Sequence, residues 1–156
     1  MAANAQRVFP DWIRFGARIF DDRELDPVLR ELAILQVATM TPGAEYEWIQ
    51  HAAITLAVGG TQEEVDAVAE GRHDALSDDG RLVVRFTEQV VRDAAPDEAT
   101  FAEMTARFST REIMHLVFTI GQYMTVARVM AVSQIDLEPA MGDDTMKQAR
   151  MIRDRA

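Results

Sequence analysis

An apolar stretch in the first half of the chain carries three polar side chains that could take part in proton transfer. In GAEYEWIQHAAITLAVGG, residues 43–60, Glu47, Gln50 and His51 stand among mostly apolar residues. At 3.6 residues per turn, the three side chains share one face of a helix. A buried polar group without a partner costs about 1–3 kcal/mol. The three groups must therefore satisfy one another, meet partners on other helices or line a cavity.

A second apolar stretch repeats the pattern. In IMHLVFTIGQYMTVARVMAV, residues 113–132, His115, Thr119 and Gln122 recur at positions i, i+4 and i+7 and so share one helix face. Two apolar helices with histidine-centred polar stripes predict that the stripes face a shared space. A structural alternative stays open, because Glu47 and a histidine four residues later also form an ordinary helical ion pair.

The composition limits the class of protein. The chain has 156 residues, of which 48% are hydrophobic, and this length is enough for one domain with a real core. Its formal charge of −10 argues against a nucleic-acid partner or an anionic membrane surface, since basic patches supply the affinity for both. The chain has no cysteine, which excludes disulfides, thiolate nucleophiles and thiolate metal sites.

Two features bear on localisation. The first sixteen residues contain no apolar signal core, so a cytoplasmic protein is expected. The stretch 113–132 is long enough to raise the question of a membrane span. It contains His115, Gln122 and Arg128, however, and charge inside a membrane is expensive, so a buried helix of a soluble protein is the better interpretation.

Apolar spacing and capping signals predict an all-α fold, a compact bundle of about 6–8 helices with no strand. Asp26 before Pro27 starts one helix, and capping boxes at Thr61/Glu64 and Ser109/Glu112 start two more. The predicted helices cover residues 9–22, 27–40, 61–70, 81–94 and 97–108. Two more are predicted, one that lies in the apolar stretch 43–60 and ends at Gly59, and a long one that begins at Ser109. We expect one domain over residues 1–138, followed by a charged tail or last helix over 139–156.

The segments LRELAILQVATMTPGAEYEWIQHAAITLAVGGTQEEVDAVAEG and TIGQYMTVARVM resemble the carboxymuconolactone decarboxylase and alkylhydroperoxidase-D-like superfamily, and the likeness covers most of residues 10–138. The resemblance implies a helical protomer that assembles as a trimer or hexamer. Two helices too apolar to be covered by one protomer indicate association independently, since obligate interfaces resemble cores cut in half.

The resemblance also separates the branches of the superfamily. The peroxidase branch carries a CxxC pair with a histidine four residues after the second cysteine, and these positions fall on Ala44, Glu47 and His51. Both cysteines are replaced here, so thiol peroxidase chemistry is excluded. The glutamate that this branch places about twenty residues before the histidine corresponds to Glu31.

The function that the resemblance implies is a cofactor-independent acid–base enzyme, which decarboxylates, isomerises, opens or closes a small lactone or keto acid. His51 is the expected acid or base, and Glu47 or Glu31 orients its ring. The expected substrate contacts come from both polar stripes and their neighbours: Tyr46, Gln50, His115, Thr119, Gln122 and Tyr123.

Two alternatives belong to other classes. The first is a non-enzymatic oligomeric binder or scaffold, in which the stripes are hydrogen-bond networks without a cavity. The second is a metal site that uses Glu47, His51 and His115. Di-iron bundles need two Glu-x-x-His motifs, and only Glu112 and His115 have that spacing. We therefore expect no metal or cofactor, and as partners only a small-molecule substrate and further copies of the chain.

Overall fold

The described part of the chain is entirely helical. A computed structural model describes residues 4–21, 24–134 and 139–140, and no strand lies among them. Its seven α-helices are α1 (Phe9–Asp21), α2 (Pro27–Met40), α3 (Glu45–Ala57), α4 (Gln62–Glu70), α5 (Asp78–Asp93), α6 (Glu98–Arg107) and α7 (Thr110–Ser133), with a short 3-10 helix (His73–Ala75) between α4 and α5. The all-α prediction is confirmed.

Local capping explains why most helices begin where the sequence predicts. The carboxylate of Asp26 accepts hydrogen bonds from the backbone N–H groups of Val28 and Leu29, at 2.8 and 3.1 Å. The capping boxes that begin at Thr61 and Ser109 both form. Each capping group lies within one turn of the helix end that it caps, so a few consecutive residues of the sequence are enough to predict where the helix begins.

The start of α5 differs from the prediction. This helix begins at Asp78, three residues before the predicted start at Arg81. Ser77 is its N-cap, and the Ser77 hydroxyl accepts from the backbone N–H of Gly80 at 3.1 Å. The run of polar residues before Arg81 therefore forms the first turn of a helix because a serine caps it.

Helix α2 lies at the centre of the bundle and packs against α3, α4, α5 and α7. All residues of 30–38 are buried, so α2 is the helix covered on all sides. One core cluster joins it to α5 and α7, and a second joins it to α4. The members that carry these contacts are Ile34, Val37, Val83, Phe86, Leu116 and Ile120 in the first cluster, and Leu32, Leu35, Val65 and Val68 in the second.

Helices α3 and α7 are covered on one side only. The buried face of α3 is its polar stripe, with Glu47, Gln50 and His51 among its members. Apolar residues point outward instead: Leu56 of α3 is 44% exposed, and Phe118 of α7 is 51% exposed. Within one protomer, each of these helices therefore has a buried polar face and an apolar face without cover.

Helix α7 is long and apolar enough to cross a membrane by length and composition alone, a test that the core helix of a soluble protein also passes. Eight of its residues, among them His115, Gln122 and Tyr123, are buried in the protomer. The predicted tail over 139–156 lies outside the described residues except for Pro139 and Ala140. The proposed division of the chain at residue 138 stays a prediction.

Candidate functional site

A buried carboxylate–imidazole pair joins the two helices that carry the predicted catalytic residues. Nδ1 of His51, on α3, lies 2.6 Å from Oε2 of Glu31, on α2. Glu31 is fully buried and His51 is 5% exposed. Helix α2 supplies the glutamate because its central position brings it against α3 over much of its length. The structure thus makes Glu31 the residue that orients the ring of His51.

Arg30 completes this pair from the same helix. Its Nε donates to Oε1 of Glu31 at 2.9 Å, and its Nη1 donates to the backbone carbonyl of Phe20 at 3.3 Å. Arg30 is 1% exposed, and a buried charge is tolerated only when it is paired and hydrogen-bonded. The carbonyl of Phe20 belongs to the last turn of α1, where a cation is also favoured by the helix dipole. Arg30 therefore links the end of α1 to Glu31.

Two aromatic rings enclose the imidazole. The ring of Phe20 is nearly parallel to that of His51, at 15° and 5.9 Å between centroids. The guanidinium of Arg30 also lies over the Phe20 ring, at 4.9 Å from the ring centroid, which is a cation–π contact. Tyr123 of α7 meets His51 edge-on, at 84° and 4.7 Å. Helices α1, α2, α3 and α7 each contribute a side chain to this cluster.

The hydroxyl of Tyr123 remains protonated in this environment. Burial, and after it the negative charge of Glu31, raises the pKa of the Tyr123 phenol well above its ordinary value. Arg30 opposes this shift, but its effect is smaller. Tyr123 can therefore donate a hydrogen bond throughout the ordinary pH range.

Glu47 lies on α3 one turn before His51 and is 2% exposed. Neither of its carboxyl oxygens has a hydrogen-bond partner among the described residues. Burial raises the pKa of the Glu47 carboxyl, while its own backbone N–H, and His51 whenever its ring is protonated, act in the opposite direction. Glu47 thus differs from Glu31, both of whose oxygens are engaged.

The remaining predicted site residues lie on α3 and α7. Gln50 donates from Nε2 to the carbonyl of Pro139 at 3.2 Å. The Thr119 hydroxyl donates to the backbone carbonyl of His115 at 2.9 Å, within its own helix. Helix α7 also meets the ring of His51 through Tyr123.

Gln122 faces α1. A Cβ added at Gly16 would lie 2.9 Å from Nε2 of Gln122, so this close approach depends on a glycine at that position. His115 is buried, and Tyr46 is half-buried. The assignment of His115, Thr119, Gln122, Gln50 and Tyr46 to substrate binding stays a prediction.

Sequence reasoning missed two members of the cluster, Arg30 and Phe20. The signal for Arg30 is a charged dipeptide with Glu31 inside the otherwise apolar run LRELAILQVA. Buried charges come in pairs, so an arginine beside a glutamate on a central helix indicates an internal ion pair. Phe20 carries no such signal, because its sequence context is that of any apolar helix position.

The metal alternative finds no ligand set in the described part of the chain, where no group of three or more histidine, aspartate or glutamate side chains could hold an ion. Two open grooves lie elsewhere. One, of about 480 Å³, follows the turn between α2 and α3 near Trp48, and the other, of about 510 Å³, lies between α1 and α7 near Trp12. Neither groove is lined by His51 or Glu47, and a cavity beside these two residues stays a prediction.

The family comparison agrees with this geometry. The model of the carboxymuconolactone decarboxylase family matches residues 6–79, a range that contains Arg30, Glu31, Glu47 and His51 and ends before α7. Searches of the curated proteins and of the solved structures gave no match. Over residues 6–79, which hold the Glu31–His51 pair and no cysteine, the protein is similar to the carboxymuconolactone decarboxylase family.

Proposed function

We propose that this protein is a cofactor-independent acid–base enzyme that acts on a small lactone or keto acid. The observation that carries the proposal is the buried contact of 2.6 Å between Nδ1 of His51 and Oε2 of Glu31. A carboxylate on one ring nitrogen sets the orientation and the tautomer of an imidazole, and leaves the other nitrogen for proton transfer. The match of residues 6–79 to the family model supports the reaction class, although a fold alone does not define a reaction.

The ion pair with Arg30 indicates which nitrogen of His51 carries the proton. An ionised carboxylate only accepts hydrogen bonds, and Oε1 of Glu31 already accepts from Arg30. Oε2 therefore accepts from Nδ1–H of His51, and the neutral ring keeps a lone pair on Nε2. A base of this kind removes a proton from a carbon next to a carbonyl, and its conjugate acid returns a proton to carbon.

Loss of a proton or of CO₂ next to a carbonyl places negative charge on the carbonyl oxygen. A hydrogen-bond donor aimed at that oxygen lowers the barrier most when it is already in place. Tyr123 supports this role, since its ring touches His51 and its phenol stays protonated. The same steps serve decarboxylation, isomerisation and ring opening or closure, so the proposal covers all of them.

A non-enzymatic binder or scaffold is the second candidate. It is favoured by the saturation of the Arg30–Glu31–His51 network, in which both oxygens of Glu31 have partners. Networks of this kind also serve only to hold helices together. The two candidates differ in what happens when the imidazole is removed, because a scaffold has no reaction to lose.

We also propose that the protein assembles from several copies, as a trimer or hexamer. Met114 and Phe118 of α7 and Phe15 of α1 form an exposed apolar patch, and the last two make an edge-to-face pair at 6.0 Å. Only 33% of the most apolar part of α7 is buried by the described part of the chain. A second copy that covers this patch would remove apolar surface from water, which is the main driving force of association.

The enzymatic proposal is tested by incubating the protein with a panel of β-keto acids and unsaturated γ-lactones. NMR spectra of each mixture show whether the compound loses CO₂ or whether a double bond moves. We expect turnover by the wild type and a decrease of about 10²–10⁴-fold in His51→Asn. His73→Asn is the matched control, since His73 lies in the 3-10 helix outside the cluster, and it should keep full activity. Full activity in His51→Asn, or no turnover of the panel by folded wild type, would favour the binder instead.

A further inference from the structure

The two buried glutamates beside His51 have opposite environments. Glu31 is fully buried, and its two oxygens are held by Arg30 and His51. Glu47 is 2% exposed, and no partner for either of its oxygens lies among the described residues. Positions i and i+4 of a helix place side chains about 5–6 Å apart at Cβ, so Glu47 stands next to His51. An unpartnered buried carboxyl at this position requires an explanation.

Ionisation of Glu47 would be expensive where it lies. Removing a carboxylate from water without a charge partner or hydrogen bonds costs so much that such groups normally take up a proton instead. Arg30 is the buried cation of this cluster, and it is already engaged by Glu31. The pKa of Glu47 follows this balance. Burial raises it most and Glu45 of the same helix raises it further, whereas His51 lowers it only when its ring is protonated, and by less than burial raises it.

We propose that Glu47 is a neutral carboxylic acid in the resting protein, and that it donates a hydrogen bond to an acceptor oxygen of a ligand bound beside His51. The site would therefore take a small molecule with a carbonyl or carboxylate oxygen and would reject a cation. The neutral state follows from the surroundings of Glu47 alone, whereas its use in a reaction rests on the proposed function.

The two groups form an acid and a base whose proton transfers balance. Nε2 of His51 takes the proton from the carbon next to the carbonyl, and the C–H electron pair becomes a carbon–carbon double bond. The carbonyl π electrons move to oxygen, which takes the proton of Glu47. The products are an enol, an imidazolium at His51 and a carboxylate at Glu47. Return of both protons restores the resting state, and return to another carbon isomerises the substrate.

Charge balance favours this pairing. Before the reaction, Arg30 and Glu31 carry opposite charges while His51 and Glu47 are neutral; after it, the imidazolium and the new carboxylate also carry opposite charges. The net charge of the buried cluster stays at zero throughout. A buried site resists any step that creates an uncompensated charge, so an acid and a base that ionise together avoid that cost.

The protonation state of Glu47 can be measured without a substrate. Infrared difference spectra between wild type and Glu47→Gln, recorded near pH 6.5, should show the carbonyl stretch of one carboxylic acid per protomer that the variant lacks. An ordinary glutamate, with a pKa of 4.5, is ionised at that pH. Glu45→Gln is the matched control, because Glu45 is exposed at the start of α3 and its replacement should leave the band in place. A wild type without the band would overturn the proposal.

The ligand class is tested with two five-membered rings, γ-butyrolactone as a carbonyl acceptor and pyrrolidinium as a cation, by NMR titration of histidine-labelled protein. The lactone should shift the His51 resonances, and Glu47→Gln, which keeps a donor, should bind it within a few-fold of wild type. Glu47→Leu should weaken binding about tenfold, the value of one hydrogen bond. Preference for pyrrolidinium, or binding of neither ring, would overturn the ligand assignment.

Failure of this inference and failure of the proposed function give different results. Turnover that depends on His51 in a protein without the carboxylic-acid band would overturn the role of Glu47 and leave the enzyme intact. The band together with lactone binding but without turnover of any keto acid or lactone would support the role of Glu47 as a donor. In that case the enzymatic proposal alone would fail.

Discussion

Arg30 and Glu31 are consecutive residues of α2, and the guanidinium of Arg30 donates to Oε1 of Glu31 at 2.9 Å although both side chains are buried. Consecutive residues of a helix project about 100° apart, so this contact requires both side chains to turn toward each other. The arrangement leaves Oε2 of Glu31 for His51. The orientation of the candidate base thus depends on a cation that has no contact with the reacting atoms.

Replacement of Arg30 should be strongly destabilising. Arg30→Leu leaves the carboxylate of Glu31 without its charge partner, and loss of one member of a buried pair costs about 3–5 kcal/mol of unfolding free energy. The control is Arg92→Leu, which breaks an exposed pair with Glu88 at 3.0 Å and should cost about 0–1 kcal/mol. Urea unfolding measures both variants. Equal costs for the two variants would mean that the buried pair contributes no more than a surface one.

The raised pKa of Glu47 predicts a dependence of stability on pH. Between the ordinary pKa of 4.5 and the raised value in the folded protein, the folded state binds more protons than the unfolded chain. The contribution of Glu47 to the free energy of unfolding is therefore fully present below 4.5 and is lost as the pH rises through the folded pKa. Glu47→Gln cannot titrate, so its stability should improve relative to wild type as the pH rises.

Urea unfolding of wild type and Glu47→Gln at a series of pH values from about 4 to 8 tests this sign. As the pH rises across this range, the free energy of unfolding of Glu47→Gln should increase steadily relative to that of wild type. That of Glu45→Gln should follow wild type. Parallel curves for wild type and Glu47→Gln would show that folding does not change the affinity of Glu47 for its proton.

Thiol-dependent peroxidase activity should be absent. The positions that hold the CxxC pair in the peroxidase branch are occupied by Ala44 and Glu47, and the chain contains no cysteine at any position. Without a thiolate there is no nucleophile to attack a peroxide oxygen. Metal-free protein should therefore consume an organic hydroperoxide in the presence of dithiothreitol no faster than buffer does. Faster consumption by the protein would contradict this prediction.

The assembly proposal predicts a mass in solution of at least three times the 17.5 kDa of one protomer, measured by light scattering at micromolar concentration. Phe118→Glu places a charge in the patch formed by Phe15, Met114 and Phe118, and should lower that mass. Phe101→Glu is the control, because Phe101 is similarly exposed, at 50%, but lies on α6. A wild-type protein with the mass of one protomer would contradict the proposed assembly.

The helices could be predicted because their limits are encoded within a few residues. Asp26 accepts from backbone groups two and three positions later, and the capping boxes of Thr61 and Ser109 each close over three positions. The spacing of apolar residues also predicts which face of each helix packs against the core. Such signals do not depend on what packs against the helix, so the all-α fold and most helix starts followed from the sequence alone.

The candidate site was only partly predictable. The sequence by itself determined that His51 and Glu47 share a buried helix face, and the family resemblance added Glu31. Which side chains reach the imidazole was decided by the packing of four helices. On α7 the polar stripe pointed to His115, Thr119 and Gln122, whereas a ring contact with His51 comes from Tyr123, directly after the last of these.

One residue along a helix is a rotation of about 100°, and the rotation of α7 about its own axis is determined by the side chains that it buries against α2 and α5. Arg30 and Phe20 illustrate the same point, since α1 and α2 meet His51 through contacts between residues far apart in the chain. Helix formation depends on neighbours in sequence, so the sequence determined the elements and their polar faces. The site depends on how those faces are rotated toward one another, and only the packed core determines that rotation.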